Sequence, residues 1–289
     1  MNKNVSLVLG SGGARGMAHV GIIRWLEENE FNIIRISGCS IGSVIGGAYA
    51  TGRLDQFVDW VTQFDKSDVF SMLDFVFSKD GLVKGDKVMD ALKKFIGTEN
   101  IEDLSMEFTA VAADISREKE HWIQSGPIYD AVRASVSLPL FFTPHIIDGV
   151  PLVDGGILNP TPIEPVLNRD ADSLIVAVNL GGVPIQEAPI KETVSKSLFQ
   201  KRLDEFMKMI QKSKSKNETE WDMLYITDQS FNAMQNMIAN QKMKANPPDY
   251  LVDIPRNKCG TLDFEKSQEL IDYGYQMADE QLKKMLALN

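Results

Sequence analysis

Apolar and polar residues follow one another in blocks that predict alternating strands and helices. Short apolar runs at 5–10 and 33–37 each indicate a buried strand. After them, residues 14–29 and 41–52 carry apolar side chains near helical spacing, and Gly52 is suited to end the second helix. A strand–helix–strand–helix opening predicts a parallel sheet with right-handed crossovers.

The same alternation continues through the middle of the chain. The pattern predicts an amphipathic helix at 84–97, neighbouring strands at 108–115 and 119–124, a helix at 127–137, a strand or hairpin at 146–156, and a strand at 173–181. The last of these is apolar throughout, which indicates burial on both faces. We therefore predict an α/β fold with three α/β/α layers and a mostly parallel central sheet.

The character of the sequence changes after residue 185. The pattern predicts a proline-bearing loop at 183–192, a charged helix at 193–216, the short apolar runs LYIT (224–227) and YLVDI (250–254) on either side of a Met-rich helix at about 229–244, and a last helix at 264–288. Both short runs could join the main sheet. We predict a core of residues 1–185 and a mainly helical extension, 186–289, that completes the same domain or forms a small subdomain.

Charge and cysteine content narrow the classes of function. The 289 residues carry a formal net charge of −10, which disfavours nucleic acid and general attraction to anionic membranes. Cys39 and Cys259 imply no disulfide framework, so we expect a cytoplasmic protein. No apolar run approaches the length of a membrane span, and the N-terminus lacks the features of a signal peptide. No feature predicts an oligomeric state.

The stretch GCSIG matches the G-x-S-x-G pattern of a serine nucleophile elbow, and it lies between a predicted strand and a predicted helix. Side chains at Gly38 and Gly42 would clash in such a tight turn. Ser40 would lie at a helix N-terminus, where the dipole favours developing negative charge. A glycine-rich turn without chemistry is the alternative. Cys39 would point away from the site, so we predict a small buried filler there.

The base that would serve this serine is not an obvious histidine. Ordinary α/β-hydrolases place their residues in the order serine, acid, histidine. His19, His121 and His145 all lie outside the C-terminal region where that order puts the base, and they suggest no metal site. His19 follows the first glycine loop by one helical turn, where a packed or solvated histidine is the more frequent case.

A carboxylate can replace the histidine. Asp154 lies in LVDGGILNP, where Gly155 and Gly156 free the backbone around it. An aspartate is ionised near neutral pH and can accept a proton, more effectively if burial raises its pKa. An ordinary Asp-Gly turn explains the same residues equally well.

The loop SGGARG, residues 11–16, follows the first strand and opens a helix. Its unobstructed N–H groups at a helix N-terminus, with the positive charge of Arg15, make a candidate oxyanion hole. The rival interpretation is the dinucleotide fingerprint G-x-G-x-x-G. It is incomplete in both frames, because Arg15 stands at its sixth position or Ser11 at its first. Nucleotide binding also leaves the elbow unexplained.

Together these residues resemble the patatin-like phospholipase family. The family pattern is G-G-G-x-R-G, then G-x-S-x-G, then D-G-G or D-G-A, and here SGGARG, GCSIG and DGG occur in that order. The segments RASVSLPLFFTP (133–144) and AADISREKEHWIQSG (112–126) are also similar to family segments. The resemblance covers residues 5 to about 180, and it implies the patatin-like form of the α/β/α fold.

The resemblance implies a Ser–Asp dyad without histidine, with Ser40 as nucleophile and Asp154 as base. It places the oxyanion hole at Gly12, Gly13, Ala14 and Arg15, with the amides of the two glycines as donors and Arg15 supporting the loop. The residues that support the motifs are Ser11, Gly16, Gly38, Gly42, Gly155 and Gly156. Many members have glycine where this chain has Ser11. No metal and no cofactor are implied, and the implied substrates are lipids or other acyl esters.

We therefore expect a serine lipid acyl hydrolase of phospholipase A, lysophospholipase or carboxylesterase type. The alternative is a lipid- or protein-binding regulator with a vestigial site, against which the intact dyad and loop count. Residues 68–78 hold seven large apolar side chains in eleven positions, which favours a core helix or strand over a flap or a segment that dips into lipid. The Met-rich stretch 234–243 likewise favours a place in the core over a lipid-binding role. The sequence leaves open whether the protein contacts a membrane peripherally.

Overall fold

A computed structural model describes residues 3–72, 86–139, 141–167, 173–185 and 223–288. Within these ranges, eight strands form one sheet. The strands are β1 (Asn4–Leu9), β2 (Asn32–Cys39), β3 (Glu107–Asp114), β4 (Lys119–Ile123), β5 (His145–Ile147), β6 (Val150–Asp154), β7 (Ser173–Gly182) and β8 (Tyr250–Pro255). Most of the sheet has the order β3-β2-β1-β7-β8. Strand β6, which pairs with β5, continues along the same edge of β3 beyond the end of β2, and β4 pairs with the other edge. Strands β3, β2, β1, β7 and β8 run parallel, and the pairs β3–β4, β3–β6 and β5–β6 are antiparallel.

The described α-helices include those predicted up to residue 137, together with Leu54–Val61, which was not predicted, and Lys66–Met72, which overlaps the segment expected to be a helix or a strand. They are α1 (Met17–Glu28), α2 (Ile41–Ala50), α3 (Leu54–Val61), α4 (Lys66–Met72), α5 (Asp86–Ile96), α6 (Ile128–Ser135), α7 (Met223–Ala245) and α8 (Ser267–Leu282). Short 3-10 helices lie at Gly13–Gly16, Ile101–Asp103, Gly155–Ile157, Glu164–Val166, Phe264–Lys266 and Lys283–Leu288.

Side chains of the central strands alternate between two apolar cores, so the sheet is covered on both faces. On β1, Leu7 and Leu9 belong to the larger core, whereas Val8 belongs to a smaller one. The larger core includes the apolar faces of α1 and α2, and Met243 of α7 packs against the smaller one. Helices therefore lie on both sides of a mostly parallel sheet, which confirms the predicted three-layer α/β/α fold.

The last part of the chain returns to this sheet. The run YLVDI forms β8, which pairs in parallel with β7. This run therefore joins the main sheet, as the sequence allowed. Helix α8 crosses α1 in close contact: a Cβ added at Gly274 would lie 2.1 Å from the carbonyl oxygen of Ala18, and one at Gly21 would lie 2.0 Å from that of Ile271. Glycine on both helices therefore lets their backbones approach each other.

Two expectations for the last third of the chain need correction. The run LYIT (224–227), which we expected could join the sheet, lies inside α7, because so short a run carries no periodicity that separates a strand from a helical turn. On the same helix the Met-rich stretch 234–243 is core only in part: Met234 and Met237 are 58% and 60% exposed, whereas Met243 packs against the smaller core. The charged helix predicted at 193–216, the loop beyond residue 185, and residues 73–78 of the apolar segment 68–78 lie outside the described residues.

Candidate active site

Two strands meet end to end along one edge of β3, and this places the candidate residues. Strand β2 occupies that edge up to Cys39, opposite Val111. Strand β6 then continues along this edge, with Asp154 opposite Ala112. Strand β4 pairs with β3 at both Val111 and Ala112 and so occupies the other edge, which leaves one shared edge for β2 and β6. Asp154 is the last residue of β6, and Ser40 directly follows β2. The topology therefore brings the predicted nucleophile and base together.

Ser40 has the strained backbone of a nucleophile elbow. Its φ of 54° and ψ of −123° are rarely adopted by a residue with a side chain. Helix α2 starts at the next residue, and the carbonyl of Ser40 accepts the N–H groups of Ser43 and Val44. The serine therefore lies on a sharp strand-to-helix turn, as the sequence predicted.

The glycines of the elbow are required by close contacts. A Cβ at Gly38 would lie 2.6 Å from the carbonyl oxygen of Gly42, and one at Gly42 would lie 2.1 Å from that of Leu9. The predicted clash of side chains at these two positions is confirmed. Gly16 and Gly155 are also confined, since a Cβ there would lie 2.4 Å from the Ile41 side chain and 2.2 Å from a backbone oxygen of β3, respectively.

Asp154 contacts the serine directly. The Ser40 hydroxyl donates to Oδ2 of Asp154, with the two oxygens 2.5 Å apart, and the N–H of Gly156 donates to Oδ1 at 2.8 Å. The carboxyl group is almost completely buried. Burial raises the pKa of Asp154 from 3.8 to about 6, although both hydrogen bonds lower it. The carboxylate is therefore ionised at neutral pH but more basic than an exposed aspartate.

The free N–H groups of the glycine loop belong to Gly12 and Gly13 and not to Ala14. Within the described chain, the N–H groups of Gly12 and Gly13 donate to no other residue, and Gly13 borders the same cavity as Ser40. The N–H of Ala14 already donates to the carbonyl of Thr261 at 2.8 Å. Ala14 is therefore not a free oxyanion donor, which corrects the expectation for this residue, and the two glycine amides are the candidates.

Arg15 braces this loop from the side. Its Nε donates to the carbonyl of Gly12 at 3.1 Å, and Nη1 donates to the carbonyl of Arg256 at 3.0 Å. Ser11 is held as well, because its N–H donates to the carbonyl of Pro160 at 2.7 Å. The supporting role expected for Arg15 thus has a structural basis in bonds to backbone oxygens.

An apolar cavity of about 160 Å³ opens beside Ser40. Its walls come from the start of α2, from α3, α4 and α5, from the segment after α6, and from the loop after β8. The lining residues besides Gly13 and Ser40 are Ile41, Val44, Phe57, Trp60, Val61, Phe64, Val69, Val88, Met89, Leu92, Val136, Leu138, Phe141, Phe142, Thr261, Leu262 and Phe264. Among the described residues of this lining, none is charged, so the cavity suits a hydrocarbon chain.

Comparison with known proteins shows the family of this chain. The profile of the patatin-like phospholipase family matches residues 7–167, more than half of the chain. The chain belongs to the patatin-like phospholipase family.

Relatives extend the similarity over nearly the whole sequence. This chain is 31% identical to an uncharacterized NTE family protein of Mycobacterium tuberculosis, over 98% of this chain and 92% of that protein. It is 29% identical to lysophospholipase NTE1 of Coccidioides immitis, over 98% of this chain but 18% of that protein. The crystal structure of VipD from Legionella pneumophila aligns with 98% of this chain and 67% of the VipD chain, at a TM-score of 0.47 and 14% identity. This similarity is too low to support a conclusion about the chain.

Two other candidate side chains, those of His19 and Cys39, make no hydrogen bond to the Ser40 hydroxyl within the described residues. His19 is fully buried and its Nε2 donates to the carbonyl of Gly10 at 2.9 Å. Burial lowers the pKa of His19 to about 4 despite this hydrogen bond, so the imidazole is neutral and holds the glycine loop. Cys39 is buried as predicted, and burial together with the charge of Asp154 raises its thiol pKa well above the usual range.

Sequence reasoning missed two parts of the site. The loop after β8 supplies Thr261, Leu262 and Phe264 to the cavity, and no motif marks it. The end of α6 and the residues after it contact the backbone of Ser40 and Asp154 through Ser135 and Ser137, and there the sequence did offer a signal, the RASVS segment of the family resemblance. In the described part of the chain, every helix is too short or too polar to cross a bilayer.

Proposed function

We propose that this patatin-like phospholipase is a serine acyl hydrolase that cleaves lipid acyl esters with a Ser40–Asp154 dyad. The observation that carries the proposal is the hydrogen bond between these two residues, 2.5 Å long, on a strained elbow beside an apolar cavity. Family membership and the lysophospholipase relatives support lipid hydrolysis as the reaction class. The same features give each residue a chemical role.

The first half of the reaction acylates the serine. As Oγ of Ser40 attacks the ester carbonyl carbon, its proton moves to Oδ2 of Asp154. The carbonyl oxygen becomes negative, and the amides of Gly12 and Gly13 stabilise it. When the tetrahedral intermediate collapses, the bond to the leaving alcohol breaks and that oxygen takes the proton from Asp154. The products are an acyl-serine and a free alcohol.

The second half releases the acyl chain. A water molecule gives a proton to Asp154 while its oxygen attacks the acyl carbon, and the same two amides stabilise the second oxyanion. Collapse breaks the bond to Oγ, which recovers its proton from Asp154. The product is a carboxylic acid, and the enzyme returns to its starting state.

The raised pKa of Asp154 makes an aspartate adequate as the base. A carboxylate with a pKa of about 6 is mostly ionised at neutral pH, yet it binds a proton far better than an aspartate of pKa 3.8. Burial beneath the elbow is the cause of this shift. The structure around Asp154 therefore supplies the basicity that histidine supplies in other serine hydrolases.

The cavity indicates how a lipid would bind. One acyl chain would occupy the apolar space, and a polar or charged head group would stay outside it, because no charged side chain of the described lining could pair with it. Phospholipids, lysophospholipids and other long-chain esters all meet this requirement. Since such substrates reside in bilayers or micelles, we also propose peripheral contact with lipid, which co-sedimentation with vesicles would measure.

Turnover of p-nitrophenyl esters of increasing chain length tests the proposal. Each buried CH₂ contributes about 0.8 kcal/mol, so kcat/KM should rise about fourfold per added carbon until the cavity is filled. Ser40→Ala should abolish turnover and leave folding intact. If folded protein binds lysophospholipid micelles but hydrolyses neither the lysophospholipid nor any other ester, the proposal is wrong and the regulator with a vestigial site replaces it.

A further inference from the structure

The end of helix α6 contacts the backbone of the nucleophile. Oγ of Ser135 accepts the N–H of Ser40 at 3.0 Å and donates to the carbonyl of Val111 at 2.7 Å. Ser135 is fully buried, so no water is available to replace either bond. One hydroxyl thus connects the elbow to β3, the strand along which both dyad residues are aligned.

The same segment also contacts the base. The N–H of Asp154 donates to the carbonyl of Ser137 at 2.9 Å. The conformation of Ser137 is itself fixed, because its hydroxyl accepts from Nη1 of Arg133 at 2.6 Å and donates to the carbonyl of Arg133 at 2.9 Å. Residues two positions apart in one turn therefore hold the backbone amides of both dyad members.

The elbow needs such a partner for a physical reason. Ser40 has a positive φ, so its backbone does not continue β2, and as the residue before α2 it has no helical acceptor for its N–H. A buried N–H without a partner is costly, and a strained conformation persists only where its surroundings fix it. The hydroxyl of Ser135 supplies the acceptor at this point.

We infer that Ser135 is a positioning residue, which holds Ser40 in its strained conformation and so keeps Oγ against the carboxylate of Asp154. This inference rests on the proposed function of the dyad. Without the hydroxyl, the N–H of Ser40 and the carbonyl of Val111 lose their shared partner, and the turn can relax. The distance between the nucleophile and its base then depends on a weaker restraint.

Steady-state ester kinetics of Ser135→Ala test the inference. We expect kcat to fall about 10- to 100-fold with KM changed less than about threefold, because misplacing a reacting group slows the chemical step more than binding. Ser6→Ala is the matched control. Its hydroxyl is equally buried and bonds Ser173 at 3.2 Å on neighbouring strands, without contact to the dyad. This control should lose thermal stability but keep kcat.

A second variant separates position from stability. Ser135→Thr keeps the hydroxyl oxygen but adds a methyl group in a fully buried place, so it should unfold at a lower temperature than the wild type while recovering most of the lost kcat. If Ser135→Ala retains wild-type kcat per folded molecule, or if kcat follows melting temperature across all three variants, the inference is wrong. If the folded wild type has no ester turnover, the proposed function itself fails, which is a different result.

Discussion

The hydroxyl of Ser40 donates to the carboxylate of Asp154 across 114 positions of sequence, with the two oxygens 2.5 Å apart. The contact is a consequence of strand order. Strands β2 and β6 share one edge of β3, and Ser40 and Asp154 meet at the point where one strand replaces the other. Because Asp154 is also buried there, the same arrangement sets its basicity, and several measurable consequences follow from that.

The pH dependence of ester hydrolysis should reflect Asp154. Only the ionised carboxylate can take the proton, so kcat/KM should be constant above pH 7 and fall tenfold per pH unit well below the pKa of about 6. Profiles measured with a neutral ester would show this. If kcat/KM began to fall only near pH 4, the carboxylate would have the basicity of an exposed aspartate, contrary to its burial.

Asp154→Asn should stabilise the protein at neutral pH while removing activity. The folded pKa of about 6 lies above the ordinary 3.8, so the folded state binds more protons between these values, and stability is lost as pH rises through this window. At pH 7 the cost of the buried charge is about 3 kcal/mol, which the amide does not incur.

Thermal unfolding of both proteins at pH 4 and pH 7 measures this effect. The variant should be more stable than the wild type at pH 7, and the difference should largely disappear at pH 4. A wild type that is the more stable protein at pH 7 would contradict the raised pKa.

The elbow should not tolerate a methyl group at Gly42. A Cβ there would lie 2.1 Å from the carbonyl oxygen of Leu9, so Gly42→Ala must shift the backbone, at about 1–3 kcal/mol of unfolding free energy, together with lost esterase activity. Gly47→Ala on the same helix is the control. Its Cβ would lie 3.2 Å from the Val132 side chain, and the helix favours alanine. Denaturant unfolding should show little change for this control, and equal losses in the two variants would contradict the account.

The residues after 185 should unfold together with the catalytic core, since we propose that they complete one domain. Gly274→Ala places a Cβ 2.1 Å from the carbonyl oxygen of Ala18 and should lower the free energy of unfolding by about 1–3 kcal/mol. Glu280→Ala, exposed on the same helix, should change it by less than about 0.5 kcal/mol. Calorimetry should show one transition that shifts as a whole. Two transitions, of which one responds, would indicate a separate subdomain.

The elements that could be predicted from sequence are those whose cause is local. The strands and helices predicted up to residue 182 are present among the described residues, because apolar periodicity determines which face is buried, but α3 was not predicted. The elbow glycines likewise pointed to Ser40, and the resemblance to the patatin-like phospholipase family singled out Asp154 as its base, without any knowledge of strand order.

The features that escaped prediction depend on contacts between distant parts of the chain. The N–H of Ala14 is used by the carbonyl of Thr261, a residue in a loop without a motif. The partner of the Ser40 N–H is a hydroxyl on another helix, at Ser135. Residues 224–227 escaped prediction for a different reason. A short apolar run has no periodicity of its own, so the helix around it determines its structure.

The most direct test of the dyad is covalent labelling with a fluorophosphonate, followed by intact and peptide mass spectrometry. The account predicts one adduct, on Ser40, and a labelling rate that falls at least about 100-fold in Asp154→Asn, because the base is lost while the fold remains. No adduct on folded wild-type protein, an adduct on a different residue, or undiminished labelling of the Asn variant would contradict the central claim.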